Sequence, residues 1–326
     1  MNFSAPTPVP AVEADGLVKV FGTQRAVDGV SLTVPQGAVY GVLGPNGAGK
    51  TTTIRMLATL LRPDRGNARI FGHDVLREPN AVRSLVGVTG QYASVDEDMT
   101  ATENLVIFSR LLGLSRADAR RKSAELLEEF DLVKAANKPL KNFSGGMRRR
   151  LDLAASLIAT PPLLFLDEPT TGLDPRTRAQ MWETIRRLVR EGATVLLTTQ
   201  YLDEADQLAD RIAVIDHGKV IADGTADELK ASVGVSSLHL TLADRAMTNR
   251  ARTVVAEYLD SDVTVTPEAG RLTATLKDTG VTPEVLIRLR DNGVAVDELT
   301  VSKPSLDEVF LTITGHPADD TEQEVA

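Results

Sequence analysis

The chain has 326 residues, no cysteine, four histidines and a formal net charge of −9. This length fits two domains, and a chain of this size can bury a large hydrophobic core. The missing cysteines exclude disulfides and thiolate metal sites, and an acidic balance with 4% aromatic residues argues against nucleic-acid binding.

Residues 1–11 contain several prolines and neither a basic start nor a long apolar run, which predicts a disordered lead-in without an export signal. The longest apolar stretch, Leu153 to Leu166, is shorter than the ~20 residues of a membrane-spanning helix and contains two prolines. From these features we expect a cytoplasmic protein.

An α/β domain is predicted over residues 12–232. Val39 to Leu43, Leu163 to Leu166 and Val195 to Leu197 are short apolar runs, as strands buried on both faces are. A periodic stretch from Thr53 to Leu61 predicts a helix after the first of these strands. Strands that alternate with helices indicate a parallel sheet.

A helical insert is predicted within this domain, at about residues 93–160. Thr100 and Glu103 form a capping-box pattern that opens one helix, and a second helix start lies at Ser115. The apolar positions that we expect to face inward in the first helix are Leu105, Phe108, Leu111 and Leu112.

The pattern changes after a predicted hairpin at Ile212 to Ile221. Residues 236–315 have the order strand, helix, strand, strand, helix, strand, which predicts a small α+β domain of the ferredoxin-like kind. A last helix is predicted over Ser305 to Thr314. Acidic residues outnumber basic ones from Ser237 onward, and residues 316–326 form an acidic tail.

The strand at Val39 to Leu43 runs directly into a P-loop motif, Gly-x₄-Gly-Lys-Thr. The backbone N–H groups of a P-loop cradle phosphates, its lysine supplies a point charge, and its threonine hydroxyl is a ligand of Mg²⁺. Glycine is needed because a side chain would block the approach of the backbone to the phosphate. The predicted nucleotide-binding residues are Gly44, Pro45, Asn46, Gly47, Ala48, Gly49, Lys50, Thr51 and Thr52.

Two carboxylates, Asp167 and Glu168, end the apolar run at Leu163 to Leu166. Neighbouring residues at a strand end point in different directions, so Asp167 can reach the Mg²⁺ shell while Glu168 orients the attacking water as general base. The alternative is an acidic pair in solvent, and the P-loop in the same chain argues against it.

A further anion site is predicted at a helix start, from Arg148 to Ile158, because serine and glycine before a helix expose N–H groups at the positive end of its dipole. The preceding residues are Ser144, Gly145, Gly146 and Met147. The run Arg148 to Arg150 allows a phosphate clamp, but a solvated face or a salt-bridged structural role is favoured.

Together these motifs resemble the ATP-binding subunits of ABC transporters, over about Val12 to Lys230. The resemblance implies that Gln91 is the Q-loop glutamine and joins Thr51 and Asp167 as a ligand of the metal. It also implies that Phe21 stacks on adenine, for which ordinary packing at a strand edge is the alternative.

The same resemblance implies a second copy of the chain. In this family the signature of one subunit, here Ser144 to Met147, closes on the P-loop of the other, and the D-loop aspartate, here Asp174, lies at the dimer contact. One chain carries one P-loop and one signature, so the resemblance implies an ATP-dependent homodimer.

Two positions depart from the common family pattern. Met147 replaces the usual glutamine of the signature, and Gln200 stands where the family usually has the switch histidine. Glutamine can hydrogen-bond a phosphate but cannot carry a proton near neutral pH, which shifts the weight of catalysis onto Glu168.

A narrower resemblance covers nearly the whole chain. Residues 91–96, 144–150, 200–206, 305–310 and 315–320 are similar to those of the daunorubicin/doxorubicin-resistance ATP-binding subunits of actinomycetes. This implies an ATPase that uses ATP and Mg²⁺ to energise export of a hydrophobic, anthracycline-like antibiotic through a separate membrane permease, without nucleic acid.

The expected place of such a subunit is the cytoplasmic face of the cell membrane, with Tyr92 to Glu103 as the docking segment for the permease. Two other functions stay open at this point. One is a soluble ABC ATPase that is not coupled to transport, and the other is the ATPase of a lipid exporter.

Overall fold

The computed structural model describes residues 9–90, 95–233, 236–261, 263–266, 270–276, 278–302 and 305–314. The chain divides into two compact units, one up to residue 225 and the other from residue 226. The domain limits given above stay predictions. Among the described residues, no helix combines the length and the apolar character needed to cross a bilayer.

The first unit contains ten strands, seven α-helices and two one-turn 3-10 helices in its described part. Its strands are β1 (Val12–Phe21), β2 (Gln24–Val34), β3 (Val39–Leu43), β4 (Arg65–Ile70), β5 (His73–Asp74), β6 (Val86–Thr89), β7 (Leu163–Asp167), β8 (Thr194–Thr199), β9 (Arg211–Asp216) and β10 (Lys219–Gly224). Its helices are α1 (Lys50–Leu57), α2 (Pro79–Leu85), α3 (Ala101–Leu111), α4 (Arg116–Glu129), α5 (Gly145–Ser156), α6 (Pro175–Arg190) and α7 (Leu202–Leu208).

The central sheet has the order β10-β9-β3-β8-β7-β6, with parallel pairing except between β9 and β10. Strands β3, β7 and β8 are buried along their whole length, which explains their continuous apolar sequences. This confirms the predicted parallel α/β fold and the hairpin at β9 and β10. The carboxyl ends of β3, β7 and β8 meet at one edge of the sheet, where α/β proteins bind ligands.

A second, antiparallel sheet has the order β2-β1-β4-β5. Its buried face shares a hydrophobic core with the central sheet and α1, which includes Leu17, Tyr40 and Ile54. A separate core joins the insert helices α3 and α4 to α5, with Leu105, Leu126 and Leu151 inside it. The P-loop helix and the signature helix therefore belong to different cores.

The capping-box prediction is confirmed, because the Glu103 N–H donates to the Thr100 hydroxyl at 3.2 Å and the Thr100 N–H donates to the Glu103 carboxylate at 2.8 Å. Ser115 caps α4 in the predicted position. The inward prediction was wrong for Leu111 and Leu112, whose side chains are 76% and 55% exposed. Helix α3 ends at Leu111 with Leu112 as its C-cap, so both residues lie at the end of the helix, beyond its last buried residue, Ser109.

Two helix bounds differ from the sequence expectation. Helix α1 begins at Lys50 rather than Thr53 and ends at Leu57, because Thr59 has a left-handed backbone conformation with φ 60°. Helix α5 begins directly after Ser144 and ends at Ser156, two residues before the expected end.

The second unit contains β11 (Ser236–Leu242), β12 (Val263–Thr266), β13 (Arg271–Leu276) and β14 (Val296–Ser302). Its helices are α8 (Ala226–Val233), α9 (Thr248–Leu259), α10 (Thr282–Asp291) and α11 (Leu306–Thr314). The antiparallel order β12-β13-β11-β14, with α9 and α10 as crossovers, is the ferredoxin-like arrangement that the sequence predicted. The alternating positions Leu238, Leu240 and Leu242 face its core.

Candidate functional site

The P-loop follows β3 and leads into α1, and its glycines are required by close backbone contacts. A Cβ atom on Gly44 would lie 2.2 Å from the carbonyl oxygen of Ile215, and one on Gly49 would lie 2.4 Å from that of Ala26. Gly49 also has φ 107°, in the left-handed region that favours glycine. At both positions the backbone of a neighbouring segment occupies the space that a side chain would need, so only glycine fits there.

Helix α1 begins at this loop without a side-chain cap, because Gly49 at the N-cap has no side chain to accept from the first N–H groups. Uncapped N–H groups and the positive end of the helix dipole make an anion-binding site. Lys50 adds a cation at the same place, so the local charge favours phosphate.

Lys50 is buried, with a side chain that is 4% exposed. Its ammonium donates to the carbonyl oxygens of Gly44 at 2.7 Å and Pro45 at 3.1 Å, and lies 3.5 Å from a carboxylate oxygen of Glu168. Burial lowers the pKa of Lys50, while the nearby Glu168 carboxylate opposes that shift. The lysine is thus a positioned point charge beside the phosphate-binding loop.

Asp167 lies at the end of β7 and gathers two hydroxyl groups. Thr51 donates to one oxygen of Asp167 at 3.0 Å, and Thr198 donates to the same oxygen at 2.6 Å. Thr198 reaches it because the register of β7 and β8 pairs the two residues directly. The result is a cluster of oxygen atoms at the mouth of the P-loop.

This cluster fits Mg²⁺, which prefers oxygen ligands and is usually held by one or two carboxylates together with substrate phosphates. Asp167 and Thr51 supply such oxygens. In the described part of the chain, no group of three or more His, Cys, Asp or Glu residues could hold a metal ion. Gln91, the third predicted metal ligand, lies outside the described residues.

Glu168 follows Asp167 and points elsewhere, as the sequence predicted for neighbours at a strand end. Its backbone has φ 51°, an unusual value for a residue other than glycine, and strain of this kind clusters at functional sites. Its N–H donates to the carbonyl oxygen and to the hydroxyl of Thr198, both at 3.1 Å. This conformation directs the carboxylate to Lys50 rather than to the oxygen cluster.

Gln200 directly follows β8, at the same edge of the sheet. Its side-chain oxygen Oε1 is buried and has no hydrogen-bond partner within the described structure. An unpaired buried acceptor costs about 1–3 kcal/mol. An amide oxygen in this position can accept a hydrogen bond from a water molecule, as the water-positioning glutamine of phosphoryl-transfer enzymes does.

The signature residues lie at the start of α5. The Ser144 hydroxyl caps the helix by accepting from the Met147 N–H at 3.3 Å, as the serine-glycine pattern predicted. Nothing lies within 4 Å of the position that a Cβ on Gly145 would occupy. No hydrogen bond or ion pair among the described residues joins this segment to the P-loop of the same chain.

Gly146 packs against the start of α6. A Cβ on Gly146 would lie 2.4 Å from the methyl carbon of Thr177. The Thr177 side chain is held in place because its hydroxyl and its N–H donate to the Asp174 carboxylate, at 2.6 and 3.0 Å. These bonds lower the pKa of Asp174. The signature glycine and the predicted dimer-contact residue are therefore connected within one chain.

The three arginines after the signature have partners in their own chain. Arg148 pairs with Glu97 at 2.7 Å, and Arg149 donates to the carbonyl oxygen of Gly90 at 3.0 Å. Arg150 donates to the carbonyl oxygen of Phe130 at 3.1 Å. These contacts support the structural interpretation over the phosphate clamp.

Phe21 is the last residue of β1 and is 50% exposed. Its ring is not packed in the core, and the ammonium of Lys19 lies 5.7 Å from the ring centre. An exposed aromatic ring of this kind is free to stack on a base.

The sequence analysis did not find Glu204, a buried carboxyl on α7 four residues after Gln200. Its side chain is 0% exposed and accepts from the Thr170 hydroxyl at 2.8 Å and from the Trp182 indole at 3.2 Å. Burial raises its pKa. A signal was present, because Glu204 stands at helical spacing with the apolar Ala205 and Leu208, on the buried face of α7.

Comparison with protein families assigns residues 27–171 to the family described as ABC transporter, and residues 224–314 to the C-terminal domain of the DrrA1-3-like ATP-binding proteins. The chain is 57% identical to the daunorubicin/doxorubicin resistance ATP-binding protein DrrA of Streptomyces peucetius, over 98% of this chain and 97% of that protein. It is 43% identical to the doxorubicin resistance ATP-binding protein DrrA of Mycobacterium tuberculosis, over 95% of each chain.

About two thirds of the chain is also similar to more distant proteins. The Nod factor export ATP-binding protein I of Ralstonia nicotianae is 47% identical over 68% of each chain. A solved structure of the ATP-binding subunit of an ABC transporter aligns with a TM-score of 0.62 and 30% identity, over 69% of this chain and 93% of that one. A nucleotide-free ATP-binding cassette aligns with a TM-score of 0.62 and 26% identity, over 68% and 94% of the two chains.

Proposed function

The chain belongs to the ATP-binding proteins of ABC transporters, and on that basis we propose that it energises export of a hydrophobic antibiotic through a separate membrane permease. As a member of this family it binds and hydrolyses ATP. The names of its full-length relatives, which are daunorubicin and doxorubicin resistance proteins, support an anthracycline-like cargo. Their similarity covers 95–98% of this chain, whereas the Nod factor export protein of Ralstonia nicotianae matches 68% of it.

The proposal for the site depends on one observation: two pairs of contacting side chains lie together at the edge of the central sheet. Thr51 contacts Asp167, and Lys50 contacts Glu168. The first pair offers oxygen ligands for a cation, and the second places a buried cation beside a buried carboxylate. Both pairs lie at the N-terminus of α1, where the P-loop N–H groups can bind phosphates.

In this proposal Phe21 stacks on the adenine, and the segment Gly44 to Thr52 binds the phosphates. Thr51 and Asp167 would hold Mg²⁺, with Gln91 as a further ligand. When bound, Mg²⁺ neutralises charge on the phosphate oxygens. Lys50 contributes its positive charge to the same oxygens.

Glu168 is the proposed general base. It accepts a proton from the attacking water while the water oxygen forms a bond to the γ-phosphorus. The bond from that phosphorus to the bridging oxygen breaks, and ADP leaves with the bonding electrons. Gln200 orients the water through its unpaired amide oxygen and does not take up the proton, because an amide has no basic site near neutral pH.

A second copy of the chain is proposed to complete the site. The signature residues Ser144 to Met147 open a helix whose N-terminus can bind anions. In the part of the chain that the structure describes, no hydrogen bond or ion pair joins them to the P-loop of the same chain. Two chains facing each other would place each signature on the ATP held by the other, with Asp174 at the contact. Hydrolysis removes the shared phosphate contacts and releases the pair.

The proposed place of the protein is the cytoplasmic face of the cell membrane, bound to the permease through the segment Tyr92 to Glu103. Only its part from Val95 onward is described. That part is anchored to α3 by Asn104, whose side-chain oxygen accepts from the Asp96 N–H at 2.8 Å. The exposed Glu97 and Asp98 follow it.

A pull-down from native membranes in mild detergent tests the transport proposal. We expect a polytopic membrane protein in stoichiometric amount, and ATP hydrolysis by the complex that anthracyclines stimulate. If lipids stimulate ATP hydrolysis and anthracyclines do not, the exported compound is a lipid rather than an antibiotic. If the protein is recovered in the soluble fraction without a membrane partner, it is an ABC ATPase that is not coupled to transport.

A further inference from the structure

Arg178 and Tyr201 form a stacked pair next to the candidate site. The guanidinium carbon of Arg178 lies 4.8 Å from the centre of the Tyr201 ring. Arg178 belongs to the first turns of α6, four residues after the N-cap Asp174, and Tyr201 directly follows Gln200. The pair therefore connects the proposed dimer-contact segment with the residue that we propose to orient the water.

The backbone around Tyr201 is held tightly. Its N–H donates to the Thr199 hydroxyl at 2.9 Å, which makes a short turn around Gln200. Thr199 is itself buried at the end of β8. Because the turn is fixed at both sides, a displacement of the Tyr201 ring would move the backbone of Gln200 with it.

Glu204 on α7 is also held in place by hydrogen bonds. The Glu204 carboxylate accepts from Thr170, which lies between Glu168 and Asp174 in the chain, and from Trp182 on α6. Glu204 thus ties α7 to both segments that flank the pair. The stacked contact of Arg178 with Tyr201 is a further direct connection from the start of α6 to the turn.

Three buried polar atoms without a hydrogen-bond partner lie in this region, Nε of Arg178, Oε1 of Gln200 and Oε2 of Glu204. In the described residues, only seven such atoms are found altogether. Unpaired buried polar atoms are rare in folded proteins, so three of them in neighbouring segments mark a place where water or a bound group can supply the partners.

We propose that the Arg178–Tyr201 pair is a positioning element that couples the start of α6 to Gln200. When a second copy contacts Asp174, the guanidinium moves with α6, and the stacked ring carries that displacement to the Gln200 amide. Cation–π stacking suits this role because it acts between the face of the ring and the cation and needs no hydroxyl group. This inference rests on the proposed role of Gln200.

Kinetics of the full-length chain test the pair. Tyr201→Leu removes the aromatic face, and we expect kcat for ATP to fall about 3- to 30-fold, the range that cation–π energies correspond to. Equilibrium affinity for ATP should stay unchanged, because no hydrogen bond or ion pair joins Arg178 or Tyr201 to the P-loop in the described structure. Tyr201→Phe keeps the face and should restore the wild-type kcat.

A second variant and a matched control make the result specific. Arg178→Leu should reproduce the loss of kcat, and the double variant Arg178→Leu/Tyr201→Leu should be no slower than either single variant. The control is Tyr258→Leu, which removes the same kind of pair with Arg288, at 4.3 Å in the second unit, and should leave kcat unchanged.

Two outcomes would overturn the inference. One is a wild-type kcat for Tyr201→Leu, and the other is additive losses in the double variant. Gln200→Ala separates this failure from failure of the proposed site. If Gln200→Ala is slow while Tyr201→Leu is normal, only the pair is rejected; if Gln200→Ala is normal, the proposed role of Gln200 is rejected as well.

Discussion

The ammonium of Lys50 lies 3.5 Å from the carboxylate of Glu168, and both side chains are less than a tenth exposed. The phosphate-binding cation and the proposed general base are thus neighbours in the same buried space. Their opposite charges offset part of the cost of burying either group. We therefore expect a change at Lys50 to affect mainly ATP binding and a change at Glu168 to affect mainly ATP hydrolysis.

Lys50→Ala is expected to abolish tight ATP binding. The variant removes the buried cation at the P-loop, whose ammonium lies 3.5 Å from the Glu168 carboxylate, and with it the positive charge that attracts the phosphates. Binding of a fluorescent ATP analogue measures the loss. Lys141→Ala, which breaks the exposed pair with Asp98, is the control and should bind ATP normally. Retained affinity in Lys50→Ala would contradict the P-loop assignment.

Glu168→Gln is expected to keep ATP binding and to lower turnover by roughly 10²–10⁴-fold, because the amide cannot accept the proton from water. An ATP-bound dimer should accumulate, since hydrolysis no longer releases it. Steady-state kinetics and size-exclusion chromatography with ATP check the two effects. Glu183→Gln changes an exposed carboxylate on α6 and should behave as the wild type. Near-normal hydrolysis by Glu168→Gln would remove Glu168 from this role.

Gln200→His is expected to retain hydrolysis, because imidazole can also hydrogen-bond a water or a phosphate. The variant should gain a pH dependence of kcat near pH ~6.5, the range in which histidine titrates, and the wild type should lack it. A pH profile of kcat for the two proteins makes the comparison. An inactive variant would mean that the site is built around the amide.

Gly146→Ala is expected to destabilise the first unit by about 1–3 kcal/mol, the usual cost of overpacking. The new methyl group would meet the Thr177 methyl at 2.4 Å and turn that side chain away from Asp174. Thr177→Ser removes the methyl and keeps the hydroxyl, so Gly146→Ala/Thr177→Ser should recover both melting temperature and ATPase activity.

Gly145→Ala is the matched control for stability, because its Cβ meets nothing within 4 Å in the same chain. Its melting temperature should equal that of the wild type. If Thr177→Ser recovers stability but not activity, Gly146 acts on the second copy in addition to its contact with α6.

Glu204→Gln is expected to raise stability at pH 8 more than at pH 5. Burial raises the pKa of Glu204, so between its unfolded pKa, about 4.3, and its folded pKa the folded state binds more protons than the unfolded state. Its contribution to stability is therefore present at low pH and is lost as the pH rises through the folded pKa. The neutral amide removes this loss. Thermal unfolding of both proteins at a series of pH values measures the difference.

Glu103→Gln is a comparison in which the dependence of stability on pH has the opposite sign. The N–H and hydroxyl of Thr100 lower the pKa of Glu103, so its contribution is present above the unfolded pKa and is lost as the pH falls. This variant should lose stability at neutral pH and approach the wild type in acid. The same pH trend in both variants would contradict the assignment for Glu204.

The sequence by itself determined the features that neighbouring residues create. The P-loop, the helix that it opens, the Ser144 cap and the Asp167–Glu168 pair each lie within a few residues, so local backbone geometry is enough to place them. In the second unit, alternating apolar and polar residues marked the strands and helical spacing marked the helices, so their order could also be predicted from the sequence. Periodicity failed for Leu111 and Leu112, because it does not say where a helix ends.

Only the tertiary structure decided which distant residues complete the site. Thr198 reaches Asp167 through the register of two strands, and Thr177 meets Gly146 because the first turns of α5 and α6 pack together there. The contact of Arg178 with Tyr201 likewise joins segments that no local pattern connects. Such contacts depend on how strands align and helices pack, and these depend on the whole core rather than on any one segment.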